Sequence, residues 1–83
     1  MAQAGVVIAV NLGRNRAVAQ GPEGRCAVFE WLEGSAPNLR DEIVGDLQQE
    51  GPARLRNIAS DHGFQARIHA ANCGVSLALT LAR

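Results

Sequence analysis

The chain reads as a small, mainly β barrel. Three observations carry this expectation. Apolar residues recur with a period of two, the runs are short, and turns rich in Gly, Pro and Asn separate them at regular spacing. With 83 residues it forms one domain, 1–83. A domain this short buries only about 60% of the surface its unfolded chain exposes, so its margin of stability is narrow.

The first strand is Gly5-Val6-Val7-Ile8-Ala9-Val10-Asn11, where Val6, Ile8 and Val10 alternate with Val7 and Ala9. Leu12-Gly13-Arg14-Asn15 turns the chain, because Gly and Asn tolerate positive φ. Arg16 to Gln20 is a short second strand, and Gly21-Pro22-Glu23-Gly24 is a strong turn signal. Arg25 to Leu32 is a third strand. It is apolar on both faces except at Glu30, which predicts a central place in the sheet. Glu33 to Arg40 contains Gly34, Ser35, Pro37 and Asn38 and is a loop.

Asp41 to Gln48 has Ile43, Val44 and Leu47 at helical spacing. Gly45 interrupts it, however, and Ile43 and Val44 are adjacent β-branched residues, so a strand is expected. Glu50-Gly51-Pro52 ends it, and Ala53 to Ser60 is a fifth strand with Leu55 and Ile58 inside. After the turn Asp61-His62-Gly63, Phe64, Ala66, Ile68 and Ala70 alternate with Gln65, Arg67, His69 and Ala71, the pattern of a half-buried strand. Asn72-Cys73-Gly74 turns the chain again. Val75, Leu77, Leu79 and Leu81 then alternate with smaller residues. The period favours a strand while Ala and Leu favour a helix, so both stay open for 75–82.

Net charge is zero, yet the charges are segregated: residues 1–25 carry +2, residues 26–50 carry −5 and residues 51–83 carry +3. Every basic residue is Arg, whose planar fork pairs with phosphate and stacks on bases; Arg-rich codon usage supplies the same bias. No apolar run is long enough to span a bilayer, and the N-terminus lacks the charged-then-apolar order of a signal peptide. The expected location is the cytoplasm, with no membrane partner. Cys26 and Cys73 are the only cysteines and read as buried, reduced thiols; a disulfide is the alternative, though nothing indicates secretion. With His62 and His69 the only histidines and no CxxC or HxxxH spacing, no metal site is expected. No phosphate-cradling Gly loop precedes a helix, so no cofactor is implied. The carboxylates Glu30, Glu33, Asp41 and Glu42 have no His or Cys placed with them, and an enzyme is not expected.

Residues 5–60 resemble a cold-shock domain, a five-stranded OB-type barrel. The family opens with Gly-x-Val-x-x-Phe-Asn, against Gly5-Val6-Val7-Ile8-Ala9-Val10-Asn11 here. Gly21-Pro22-Glu23-Gly24 falls at its acidic second turn, and Arg25-Cys26-Ala27-Val28-Phe29-Glu30-Trp31 falls at its Asp-Val-Phe-Val-His-Phe. Gly51-Pro52-Ala53-Arg54-Leu55-Arg56-Asn57-Ile58 is similar to its Gly-Pro-x-Ala-x-Asn-Val with one residue more. The resemblance implies an OB-like barrel over 5–60 with residues 61–83 as an extension, either a hairpin or a strand and helix. An SH3-like or Sm-like barrel is the alternative.

The departures bear on function. The family stacks bases on aromatics of its first three strands; here Ala9, Arg16-Ala17-Val18, Val28 and Glu30 stand at those places. Stacking contributes roughly 1–3 kcal/mol per base, so losing three platforms costs about 3–9 kcal/mol, at least two decades of affinity. Phe29 and Trp31 share a strand face and either pack inside or, with Phe64, form the remaining stacking group. Arg14, Arg16, Arg54 and Arg56 are expected on one barrel edge, lining a groove for a phosphate backbone or pairing with the acidic 41–50 segment.

The first expected function is therefore weak, non-specific binding of single-stranded DNA or RNA through that edge, with Trp31 and Phe29 stacking. The alternative is a protein-interaction or oligomerisation module on an OB-like scaffold. The apolar stretch 64–82 predicts a homodimer, since an unpaired hydrophobic strand invites a second chain.

Overall fold

The computed structural model describes residues 3–83; Met1 and Ala2, the first two of the expected 1–83 domain, lie outside it. In chain order the elements are β1 (Gln3–Asn11), β2 (Arg16–Gln20), β3 (Cys26–Trp31), β4 (Glu42–Gly45), β5 (Gly51–Asn57), β6 (His62–Cys73) and α1 (Val75–Leu81). The strands bond in the order β1-β2-β3-β6-β5-β4, and β4 returns to β1. The barrel is closed, and every pair in it is antiparallel.

The turns follow from their residues. Asn15 (φ 54°), Asp61 (φ 55°) and Asn72 (φ 57°) supply the left-handed conformations, which Asn and Asp adopt more readily than other side chains. Gly21 N–H donates to the Arg25 carbonyl (2.8 Å) and Gly24 N–H to that of Gly21 (3.0 Å), closing the β2–β3 turn.

The expected mainly β barrel is present, with six strands rather than five. The sixth is the stretch read as an extension beyond residue 60. β6 lies between β3 and β5 and bonds to both, from Trp31↔Ala66 to Cys26↔Cys73 on one side and from Asn57↔His62 to Gly51↔Ile68 on the other. Barrel closure therefore depends on residues 62–73. Residues 75–81 form a helix.

One strand alternation builds two cores. Inward-facing Val7, Ala17, Ala19, Phe29, Trp31, Ile43, Leu55, Phe64, Ala66 and Ile68 fill the barrel. The outward residues between them on β2 and β3 are also buried: Val18, Cys26 and Val28 join Cys73 of β6 beneath Ala78 of α1 and Ala82 just past its end. That second cluster is why β3 is apolar on both faces. Leu55 is buried, but Ile58 is exposed, contrary to expectation. The two residues differ in parity, so an extended strand cannot turn both inward. Ile58 instead sits past the end of β5, its N–H donating to the Glu42 carbonyl (2.9 Å).

Candidate interaction surface

The aromatic residues are the first to be relocated. Phe29 is 0% and Trp31 5% exposed, and both belong to the inner core with Phe64. The Phe29 and Phe64 rings lie 6.1 Å apart, tilted by 38°. Stacking of a base on Phe29, Trp31 or Phe64 is therefore corrected to core packing. The residue types facing outward beside them, Val28 and Glu30, carry no aromatic ring.

The four arginines do not share one edge. Across the sheet Arg16 of β2 stands opposite Glu30 of β3, Glu30 opposite Arg67 of β6, and Arg67 opposite Pro52 of β5. Arg54 lies one pleat further along β5, opposite Gln65. Two strands separate Arg16 from Arg54, a distance of about 14 Å at the usual inter-strand spacing.

Their partners also differ from expectation. Arg54 Nη1 lies 3.6 Å from Glu33 Oε1, and Arg56 pairs with Asp61. Neither contact involves the acidic 41–50 segment. Arg16 Nη1 donates to the Leu81 carbonyl (3.0 Å) at the end of α1. Arg14 is exposed in the β1–β2 turn. Glu30 adds negative charge among these residues and is met by His69, whose Nε2 lies 2.8 Å from Glu30 Oε1.

The outward face of β2 and β3 is covered from within the chain. Val18 and Val28 are fully buried under α1. Asn11 Nδ2 donates to the Ala82 carbonyl (2.9 Å), and with Arg16 it ties down the C-terminal end of that helix.

α1 is unusual for a surface helix. Val75-Ser76-Leu77-Ala78-Leu79-Thr80-Leu81 contains no charged residue. Ala78 and Ala82, one turn apart, face the barrel, and their lack of bulk lets the helix lie close. Val75, Leu77, Leu79 and Leu81 are left partly exposed, Leu77 at 55%. Beside them Leu12, in the β1–β2 turn, is 69% exposed. Between Leu12 and Leu79 runs an open groove of about 420 Å³, floored by Ala9, Val10 and Ala82. Leu12 escaped the sequence reading because it sits in a turn; the signal was a large apolar residue beside Gly and Asn.

A second cleft, of about 290 Å³, opens at another part of the barrel surface between Ala4, Ala19, Glu23, Leu47, Gln48 and Asn72. Arg25 at its rim is turned onto Asn72, with Nε donating to Asn72 Oδ1 (3.1 Å). Among the described residues no three His, Cys, Asp or Glu side chains gather closely enough to hold a metal ion. Nor is any helix long and apolar enough to cross a membrane. The chain matches no protein-family model, no curated protein and no solved structure.

Proposed function

We propose that this chain is a protein-interaction module that pairs with a second copy of itself through α1 and the neighbouring β1–β2 turn. The observation that carries this reading is the division of α1: Ala78 and, just past its end, Ala82 face the barrel, while Val75 and Leu79 on one flank and Leu77 and Leu81 on the other stay partly exposed on either side of Ser76 and Thr80. Monomers tolerate apolar patches of roughly 300–600 Å², and patches of that size are often functional. Five side chains exposed as these are come to a few hundred Å², enough for the apolar centre of an interface contributing about 800 Å² per partner.

A second copy suits this surface because it carries both a ridge and a recess. Leu77 stands on one flank of α1, and the groove between Leu12 and Leu79 runs along the other, about 200° around the helix. A two-fold axis places each Leu77 at the partner's groove. With that axis perpendicular to α1, the two helices run antiparallel. Arg14, Arg16 and Arg83 at one end of α1 then meet the partner's opposite end, where exposed Glu23 lines the cleft beside Asn72, instead of meeting each other. The expected interface over 64–82 contracts accordingly. β6 is bonded on both sides and has no free edge, so 75–82 remains.

Weak binding of single-stranded nucleic acid has less support. Its aromatic partners are inside the barrel, and its arginines are dispersed and partly paired.

Sedimentation equilibrium of the wild-type chain and of Leu77→Lys tests the proposal. The expected result is a concentration-dependent dimer that the variant abolishes while its circular dichroism stays unchanged and its melting temperature loses its dependence on concentration. A wild-type chain that is monomeric up to about 1 mM, which limits pairing to less than about 4 kcal/mol, overturns it. Anisotropy of a labelled oligothymidine separates the two readings. Salt-sensitive binding that weakens in Arg14→Ala/Arg16→Ala, with no self-association, favours the nucleic-acid edge instead.

A further inference from the structure

We propose that Cys26 and Cys73 are a redox-modification site, converted by an oxidant of the peroxide class into a disulfide that crosses from β3 to β6 beneath α1. The inference does not depend on pairing through the helix. It begins with register: the two cysteines are direct partners across the antiparallel β3–β6 ladder. Opposed residues in such a ladder have Cα atoms about 4.5 or 5.5 Å apart, within the range of about 4.4–6.8 Å that a disulfide spans. Direct partners also point to the same side of the sheet, and both residues belong to the outer cluster with Val18, Val28 and Ala78.

Neither thiol is committed to another group. Cys26 Sγ lies 3.8 Å from the Gly24 carbonyl in the preceding turn and Cys73 Sγ 3.6 Å from that of Ala71 in its own strand, both long and weak contacts. The pair is asymmetric in a way that orders the chemistry. Cys26 is 1% exposed, whereas Cys73 ends its strand and is 8% exposed. Burial pushes the Cys26 thiol up from its ordinary value, Cys73 beside it pushes it further, and Arg25 opposes both. Cys26 therefore holds its proton while Cys73 meets the oxidant first.

The Cys73 thiolate attacks one oxygen of hydrogen peroxide, the O–O bond breaks, and hydroxide leaves, giving a sulfenic acid. Cys26 sulfur then displaces the hydroxyl from the Cys73 sulfur, forming the S–S bond, and the Cys26 proton leaves with that hydroxyl as water; the proton Cys73 gave up to become a thiolate neutralises the hydroxide released first. Two thiols and one peroxide give one disulfide and two waters. The neighbours above the pair are the small side chains Ala78 and Ala82, and Gly74 links β6 to α1, so the helix can adjust while the bond forms.

The full chain is treated with a small excess of hydrogen peroxide, then analysed by intact mass and peptide mapping under denaturing conditions. The proposal expects the mass to fall by two hydrogens, both thiols to disappear, and one peptide to join Cys26 to Cys73 within a single chain. Dithiothreitol restores the starting mass. The oxidised chain keeps its circular dichroism and melts at a higher temperature than the reduced one. In Cys26→Ser, dimedone captures a sulfenic acid at Cys73; in Cys73→Ser, Cys26 survives as a free thiol. Further oxidation of Cys73 beside an intact Cys26 in the wild type, a disulfide joining two chains, or reaction only in urea would each overturn the assignment. The wild-type peptide map decides the matter even where a variant folds poorly.

Discussion

Gly45 is where the barrel is least able to accept a side chain. It sits on β4 opposite Leu55 of β5, on the strand that closes the barrel back to β1. A Cβ placed there lies 2.5 Å from Leu55 Cδ2 and 2.9 Å from the Arg54 carbonyl oxygen. The methyl of Leu55 can rotate away only into the packed core, and the carbonyl is part of the β5 backbone. Gly45→Ala therefore forces β4 away from β5. Overpacking of this kind costs about 1–3 kcal/mol. A domain of this size has roughly 4–12 kcal/mol in total at 0.05–0.15 kcal/mol per residue. The expected fall in melting temperature is about 4–24 °C, at 4–8 °C per kcal/mol. Urea unfolding followed by Trp31 fluorescence measures it, since the single Trp is buried in the folded state. Two companions isolate the cause. Gly51→Ala meets open space but holds φ +114°, so it tests backbone strain alone, about 1–3 kcal/mol. Gly63→Ala makes only ordinary contacts, the nearest at 3.6 Å, and gains about 0.4–1 kcal/mol by restricting the unfolded chain. A Gly45→Ala chain within about 0.5 kcal/mol of wild type, the range of neutral surface changes, refutes the steric reasoning.

Three further outcomes are expected. Ala78→Leu, at a fully buried position against Val18 and Val28, costs about 1–3 kcal/mol in urea unfolding, and the strand signal in far-ultraviolet dichroism persists because α1 bonds to no strand ladder. Asn57→Ala costs about 1–3 kcal/mol. Asn57 is the only buried polar residue among those described; its Nδ2 donates to Asp41 Oδ2 (2.9 Å) and its Oδ1 accepts from Ala59 and Ser60 N–H. Cys26 makes stability depend on alkaline pH. Its folded pKa is raised above the ordinary 9.0, so its contribution is complete below pH 9.0 and is lost as pH rises through the folded value; Cys26→Ser removes that component from a pH series of urea midpoints.

Much of the barrel was legible because its strands obey the period of two and its turns carry Gly, Asn and Asp. Even β6 could be read from Phe64, Ala66 and Ile68 alternating with polar residues. Its position could not, because pairing between β3 and β6 is set by three-dimensional closure that no local window contains. For Phe29 and Trp31 the alternation established a shared face but not which face was inside. Glu30, on the opposite face, was the available clue, since a carboxylate stays near water. At 75–82 the large residues at every second position imitated a strand. Ala78 and Ala82, four apart, share a face in a helix and in a strand alike, so their spacing left both open. Among the charges, residue type was readable and spatial grouping was not: Arg54 and Arg56 found Glu33 and Asp61, each close in space for reasons of loop path.

The pairing of β3 with β6 also governs how the chain emerges during synthesis. β1, β2 and β3 can form a meander as soon as Trp31 leaves the ribosome, yet β3 finds its other neighbour only after Cys73 has been made. About 40 residues separate the two, or roughly 2–8 s at 5–20 residues per second. Throughout that interval the nascent meander has an unpaired β3 edge and an uncovered apolar surface at Val18 and Val28. Ala78 and Ala82, which roof that surface, are made after β6. Until β6 and α1 are made, that edge and that apolar face are where the meander is open to aggregation.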